Sequence, residues 1–267
     1  MTSNHSPNIV MVIADQHHAG LMGCAGHSQA ITPHLDRFAQ TGVRFEAAYC
    51  QNPICTPSRV SVLSGQYCHN TGYFGLSGPT PRQLPSMMGH FKAHGYRTAG
   101  FGKLHLPHEG DGNWLWRDLD RFGDSYENAQ GQLGVSDFLT DLEARGLRDK
   151  EDSWHNAARG PLNLDAKPSD LPYEFTQEMW CARQAMRFID EGGPEGEDAR
   201  PFCIQIAFQK PHHPLLPQPR FWEMYDEDLD LPETYDLEPT HRPPHFQKMW
   251  QNLRQQDWPF NAPGQDS

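Results

Sequence analysis

Apolar residues in this chain gather into short continuous runs and helix-period stripes rather than strict alternation. The run from Ile9 to Ala14 is β-branched and ends at Asp15-Gln16-His17-His18, the pattern of a strand buried on both faces with Asp15 at its carboxyl end. Thr32 and Pro33 before the stretch His34 to Ala39, closed by Gly42, predict a short capped helix, and a strand is expected to follow from Val43 to Tyr49. Helices are expected from Pro57 to Ser64 and from Leu84 to His94, each stopped by a glycine, with a strand from Tyr96 to Phe101. Phe175, Met179, Ala182, Met186 and Ile189 keep the 3.6-residue period of a helix lying on a sheet by one face. Phe202 to Phe208 reads as a second buried strand. Between about Asp111 and Asp170 the chain is rich in Gly, Asp, Trp and Pro, so this region reads as a loop-rich insertion with one helix near Val135 to Arg145. The tail after Asp226 is acidic and proline-rich and shows no closing element.

Strands alternating with helices indicate an α/β domain with a mostly parallel central sheet flanked by helices. Ligands of such sheets collect at the carboxyl ends of the strands. Three polar clusters fall there: Asp15-Gln16, Gly102-Lys103-Leu104-His105 and Lys210-Pro211-His212.

Charge narrows the choice of partners. With 34 acidic against 22 basic residues and a net charge of −12, general binding to nucleic acid or an anionic membrane is disfavoured. An anionic substrate must therefore be met by local cations. The N-terminal residues carry no basic stretch, and the apolar run behind them is too short for a signal or a membrane span, so a cytoplasmic location is the default expectation. The six cysteines then read as reduced thiols. No C-x-x-C pair occurs, and Cys24-x-x-His27 with Cys50 or Cys55 is the nearest approach to a zinc ligand set.

Cys55, in Cys55-Thr56-Pro57-Ser58-Arg59, admits three readings. It could be an inert small residue before a helix, or a nucleophilic thiol favoured by the helix dipole and Arg59. The third comes from resemblance, because C-T-P-S-R matches the C-x-P-x-R signature at which type I sulfatases have a cysteine oxidised to formylglycine. The first strand with Asp15 resembles that family's first metal-binding segment. Ile31 to Asp36 resembles its "TPNLD" helix, and Val60 to Gly65 the helix after the signature. Gly102-Lys-Leu-His-Leu106 resembles its GKWHL segment, and Lys210-Pro-His-His-Pro214 its PHxP segment. These motifs stand in the family's order over roughly residues 8 to 220.

The resemblance implies an alkaline phosphatase-like fold and a sulfuric ester hydrolase acting on a small-molecule or saccharide sulfate ester. A sulfate ester presents a crowded sulfur with delocalised negative charge, so its site must hold an anion, polarise it and offer a strong oxygen nucleophile. By resemblance, one hydroxyl of the hydrated aldehyde at position 55 attacks sulfur, and loss of the other hydroxyl's proton later expels sulfate. Arg59 would act as a fixed cation, Lys103 as the anion binder and His105 as the elimination base. The two alternate along what reads as an extended segment. His212 would be the general acid on the leaving oxygen, with His213 as competitor and Lys210 as added positive charge. A divalent metal, Ca2+ before Mg2+ or Mn2+, would be held by Asp15, by Gln16 where the family often has a second Asp, and by the modified Cys55. A formylglycine-generating enzyme is the implied partner. Trp114, Trp116, Tyr126 and Trp154 are candidates to line a sugar or aryl subsite.

The family closes its metal site with a later Asp-Asn or Asp-His pair, usually in a segment like S-D-H-G, and this sequence contains none. The expectation is therefore an N-terminal catalytic portion, shortened at the C-terminal side, spanning residues 1 to 267 as one incomplete domain. Two alternatives stay open: a phosphonate or phosphate ester hydrolase of the same superfamily, and a catalytically incomplete anion-binding fragment.

Overall fold

The computed structural model describes residues 6–76, 84–106, 118–125, 136–151, 166–192, 198–225, 229–230, 240 and 242–255. Its centre is a four-stranded sheet of β1 (Ile9–Ala14), β2 (Arg97–Gly102), β3 (Arg121–Asp124) and β4 (Phe202–Phe208), in the order β1-β4-β2-β3 with every pairing parallel. The α/β expectation holds.

Side-chain alternation along β4 divides the core between the two faces. Cys203 and Ala207 join Leu63, Met88 and Tyr96 on one face, where α2 (Cys55–Ser64) and α4 (Met87–Ala93) lie. Phe202 and Ile204 join Ala99, Phe101, Ala185 and Phe188 beneath α6 (Gln177–Glu191) on the other. Thr176 caps α6 by accepting the Met179 amide, and α5 (Asp137–Ala144) adds Phe138, Leu139 and Leu142 against Trp180 and Cys181. Short helices α1 (Pro33–Thr41), α3 (Cys68–Thr71) and α7 (Pro219–Trp222) complete this unit, which ends at Met224. The second unit, Tyr225–Ser267, contains α8 (Pro244–Gln255), a helix the sequence reading did not anticipate. Among the described residues no helix is long and apolar enough to cross a membrane.

Four expectations need correction. First, β1 is not buried on both faces: it is the edge of the sheet, and α6 packs on β2 and β4. Val10 and Val12, on the face away from the Leu63 cluster, are consequently 50% and 58% exposed. Second, Val43 to Tyr49 forms no strand. A run of strand-favouring residues needs a partner ladder, this one has none among the described residues, and Val43, Phe45 and Tyr49 are exposed. Third, the region from Asp111 to Asp170 holds a strand of the central sheet, β3, besides the expected helix α5. Fourth, Thr32 holds the N-cap position of α1 as expected but makes no side-chain cap bond; its hydroxyl accepts the Gly23 amide and donates to Asp36 Oδ1 at 2.9 Å.

Candidate active site

The carboxyl ends of β1, β4 and β2 stop at one level. Ala14 pairs with Phe208 and Gly102 with Ala207, and the ladder is carried one residue further by the Asp15 amide to the Phe208 carbonyl and the Lys103 amide to the Ala207 carbonyl. Asp15 and Lys103 therefore flank the end of β4. Lys103 Nζ lies 2.6 Å from Asp15 Oδ2, with the lysine side chain 1% exposed. Gly102 makes this approach possible: its φ is +104°, and a Cβ there would stand 2.1 Å from the Ala207 carbonyl oxygen.

Arg59 joins the pair from α2. Cys55 opens α2, and the four-residue spacing puts Arg59 on the same helix face one turn later. The Arg59 guanidinium donates to the Lys103 carbonyl and, at 3.2 Å, to Asp15 Oδ2. The Asp15 carboxylate thus sits between two buried cations. Burial alone would raise the Asp15 pKa, but the charge and hydrogen bond of Lys103, followed by Arg59 and His212, hold it below the ordinary carboxylate value.

His212 follows β4 through a turn in which its amide donates to the Gln209 carbonyl. Its Nδ1 lies 2.7 Å from the His213 carbonyl oxygen, which can only accept, so Nδ1 carries the proton in the neutral ring and Nε2 is the nitrogen that exchanges one. The rings of His212 and His213 stack at 4.2 Å. Burial, then the charge of Lys103, lowers both pKa values below the usual histidine range. The peptides Lys210-Pro211 and His213-Pro214 are both cis.

The remaining candidates behave differently from expectation. His105 is not on an extended segment with Lys103: β2 has ended, the Leu104 amide donates to Asp124 Oδ2 at 3.3 Å, and His105 adopts a φ of +46°. Gln16 also has a left-handed backbone, φ +61°, and is exposed. Non-glycine residues held this way cluster at functional sites. Lys210 sends its ammonium back to the carbonyls of His212 and Pro214, and nothing in its hydrogen bonding directs it at Asp15. Asp124, fully buried behind Leu104, was not singled out by the sequence, where it reads as an ordinary strand-end acid. Trp114, Trp116, Tyr126 and Trp154 lie outside the described residues.

A divalent ion takes six or more oxygen ligands from hard donors. Among the described residues no group of three or more His, Cys, Asp or Glu could hold one, and Asp15 is already neutralised by Lys103 and Arg59. These residues do not complete a metal cage, and the zinc arrangement around Cys24 and His27 is likewise not formed; His27 Nδ1 accepts the amides of Gln29 and Ala30.

The sulfatase family pattern matches residues 7–258. The chain belongs to the sulfatase family. It is 43% identical over 237 residues to an ulvan-active sulfatase of Formosa agariphila, covering 89% of this chain and 41% of that protein. It is 28% identical over 242 residues to an arylsulfatase of Clostridium perfringens, covering 85% of this chain and 47% of that one. Among solved structures it resembles a phosphonate monoester hydrolase from Silicibacter pomeroyi, with a TM-score of 0.64 at 23% identity over 85% of this chain and 46% of the other. That likeness places this sulfatase chain in the alkaline phosphatase-like fold. The chain spans about half the length of the curated relatives it matches.

Proposed function

We propose that this chain carries the nucleophile of a sulfuric ester hydrolase, with Cys55 as the precursor of a formylglycine that attacks an organic sulfate ester. The observation that carries this reading is the bridge made by Arg59, which ties the helix opening at Cys55 to both Asp15 and Lys103. Sulfatases generally use a formylglycine and a divalent metal. The hydrated aldehyde supplies one hydroxyl to attack sulfur and a second whose deprotonation releases sulfate.

The chain's own residues then divide the remaining work. Lys103 and Arg59 supply the positive field that holds a sulfate oxygen next to the nucleophile. His212, through Nε2, gives a proton to the departing alcohol oxygen. His105 takes the proton that accompanies sulfate release, and Lys210 adds positive potential from the loop behind His212. Asp15 and Gln16 are the residues that would contribute oxygen donors to a divalent ion such as Ca2+. A formylglycine-generating enzyme is the modifying partner, and the cytoplasm the proposed location. Relatives that include an arylsulfatase and an ulvan-active sulfatase support an aryl or saccharide sulfate as substrate.

The test is turnover of p-nitrophenyl sulfate, phosphate and phenylphosphonate by the protein after co-expression with the modifying enzyme. Sulfate cleavage should be fastest. Faster phosphonate cleavage would overturn the sulfatase assignment in favour of the phosphonate branch, and no cleavage of any ester would favour an anion-binding role.

A further inference from the structure

We infer that a cavity beside Lys210 is the subsite for the organic group of the ester, and that it takes a ring with one apolar face and a hydroxyl that bonds Glu178. The inference rests on the sulfatase reading above. The cavity has a volume of about 410 Å³, within the range of small-molecule sites. It lies at the carboxyl end of the sheet, between the first turn of α6, which contributes Glu178 and Met179, and the segment Leu215–Gln218. Lys210 and Pro211 also line it, so it begins two residues from His212.

The polar chemistry on its walls is asymmetric. Gln218 Nε2 donates to the Leu171 carbonyl, the Thr176 hydroxyl to the Tyr173 carbonyl, and Lys210 to the carbonyls of its own loop. These donors are occupied by backbone. Glu178 differs: its Oε1 is sealed from solvent and has no hydrogen-bond partner among the described residues. A buried polar atom without a partner is rare enough to require an explanation, and a ligand hydroxyl supplies one. Burial, reinforced by nearby Glu151, raises the Glu178 pKa, while its own backbone amide and the charge of Lys210 oppose the shift. The rest of the lining favours a flat apolar face. Phe221 and Tyr173 are part of it, and the Arg220 guanidinium lies 3.9 Å over the Tyr173 ring and holds it. An aryl alcohol and a pyranose share the required chemistry, a ring with one apolar face and a hydroxyl.

Ligand-observed NMR titration of the full chain with catechol and with methyl β-D-xylopyranoside tests the assignment and separates the two sources. At least one probe should bind saturably, and filling the cavity by Leu216→Trp should weaken it roughly tenfold or more. Glu178→Gln, a nearly isosteric change, should weaken it several-fold with the thermal melt retained, which covers the case in which the larger substitution fails to fold. Catechol alone binding marks an aryl ester, and the xyloside alone a saccharide. Binding of neither probe, or binding unchanged in both variants, overturns the inference. Turnover of p-nitrophenyl sulfate reports separately on catalysis: turnover with variant-insensitive probe binding defeats only the cavity assignment, whereas sensitive binding without turnover defeats the catalytic reading and leaves a ring-binding site.

Discussion

Lys103 Nζ and Asp15 Oδ2 are 2.6 Å apart across the end of β4, and Arg59 closes the same carboxylate from α2. The three side chains come from three elements, so the pair joins local structure to function: whatever holds Lys103 in place also shapes the anion site. Removing one member of a buried pair leaves the other charge uncompensated, at about 3–5 kcal/mol. Arg59 still faces Asp15 when Lys103 is removed, so Lys103→Ala should lower unfolding free energy in urea by less than that amount, and Lys103→Met by less again because it retains volume.

The same pair sets an acid dependence. The Asp15 pKa is lowered in the folded chain, so Asp15 contributes stability that is present above its unfolded value near 3.8 and is lost as pH falls through the folded value. Asp15→Asn should flatten the stability profile below pH 3.8, measured by denaturant midpoints at successive pH values. An unchanged profile would show that the pair is not formed in solution.

Arg59→Lys is not conservative here, because one guanidinium serves both the Lys103 carbonyl and the Asp15 carboxylate. An ammonium can keep the charge but loses one of the two bonds, and hydrogen bonds to charged groups contribute about 1.5–3 kcal/mol. Thermal denaturation should show a loss in that range.

For His212, burial and Lys103 favour the neutral ring, so the protonated acid is populated only below the ordinary histidine pKa of 6.5. If His212 protonates the leaving group, kcat/KM should fall as pH rises through a value under 6.5. His212→Gln should remove that limb of the pH profile and lower kcat by about 10²–10⁴-fold for poor leaving groups.

Gly102→Ala tests the backbone approach that carries Lys103. Its φ of +104° and the Ala207 carbonyl leave no space for a methyl group. Destabilisation of at least about 2 kcal/mol is expected by chemical denaturation.

The metal question has a direct measurement as well. With Asp15 held by Lys103 and Arg59, and no group of three or more His, Cys, Asp or Glu placed to hold an ion among the described residues, calcium affinity of this chain should be no tighter than about 1 mM by calorimetry. Tighter binding would reveal donors outside those residues.

The sequence made Asp15, Lys103 and His212 legible because each follows an abrupt end of an apolar run, and parallel strands gather such ends on one edge. Cys55 and Arg59 were legible from their motif and its helical spacing. β3 was not, since Arg121 to Asp124 is four residues long with two exposed and carries no apolar run. The edge position of β1 was hidden for a related reason: an apolar strand records what can be buried there, not what covers it. His105 and Lys210 show a different limit. A left-handed residue breaks the alternation on which facing was argued, and the direction of a lysine ammonium depends on carbonyls offered by a loop whose conformation the sequence does not state. Glu178 sits in the first turn of α6, where an acid is ordinarily explained by the helix dipole, so only the closed surroundings of its Oε1 distinguish it.

Peptide mass spectrometry of the segment containing Cys55, after co-expression with a formylglycine-generating enzyme, decides whether Cys55 is the precursor of the nucleophile. The expected mass corresponds to conversion of the Cys55 thiol to an aldehyde, trapped as a hydrazone by a hydrazine reagent and absent from Cys55→Ala. An unmodified thiol at Cys55 under those conditions would contradict it.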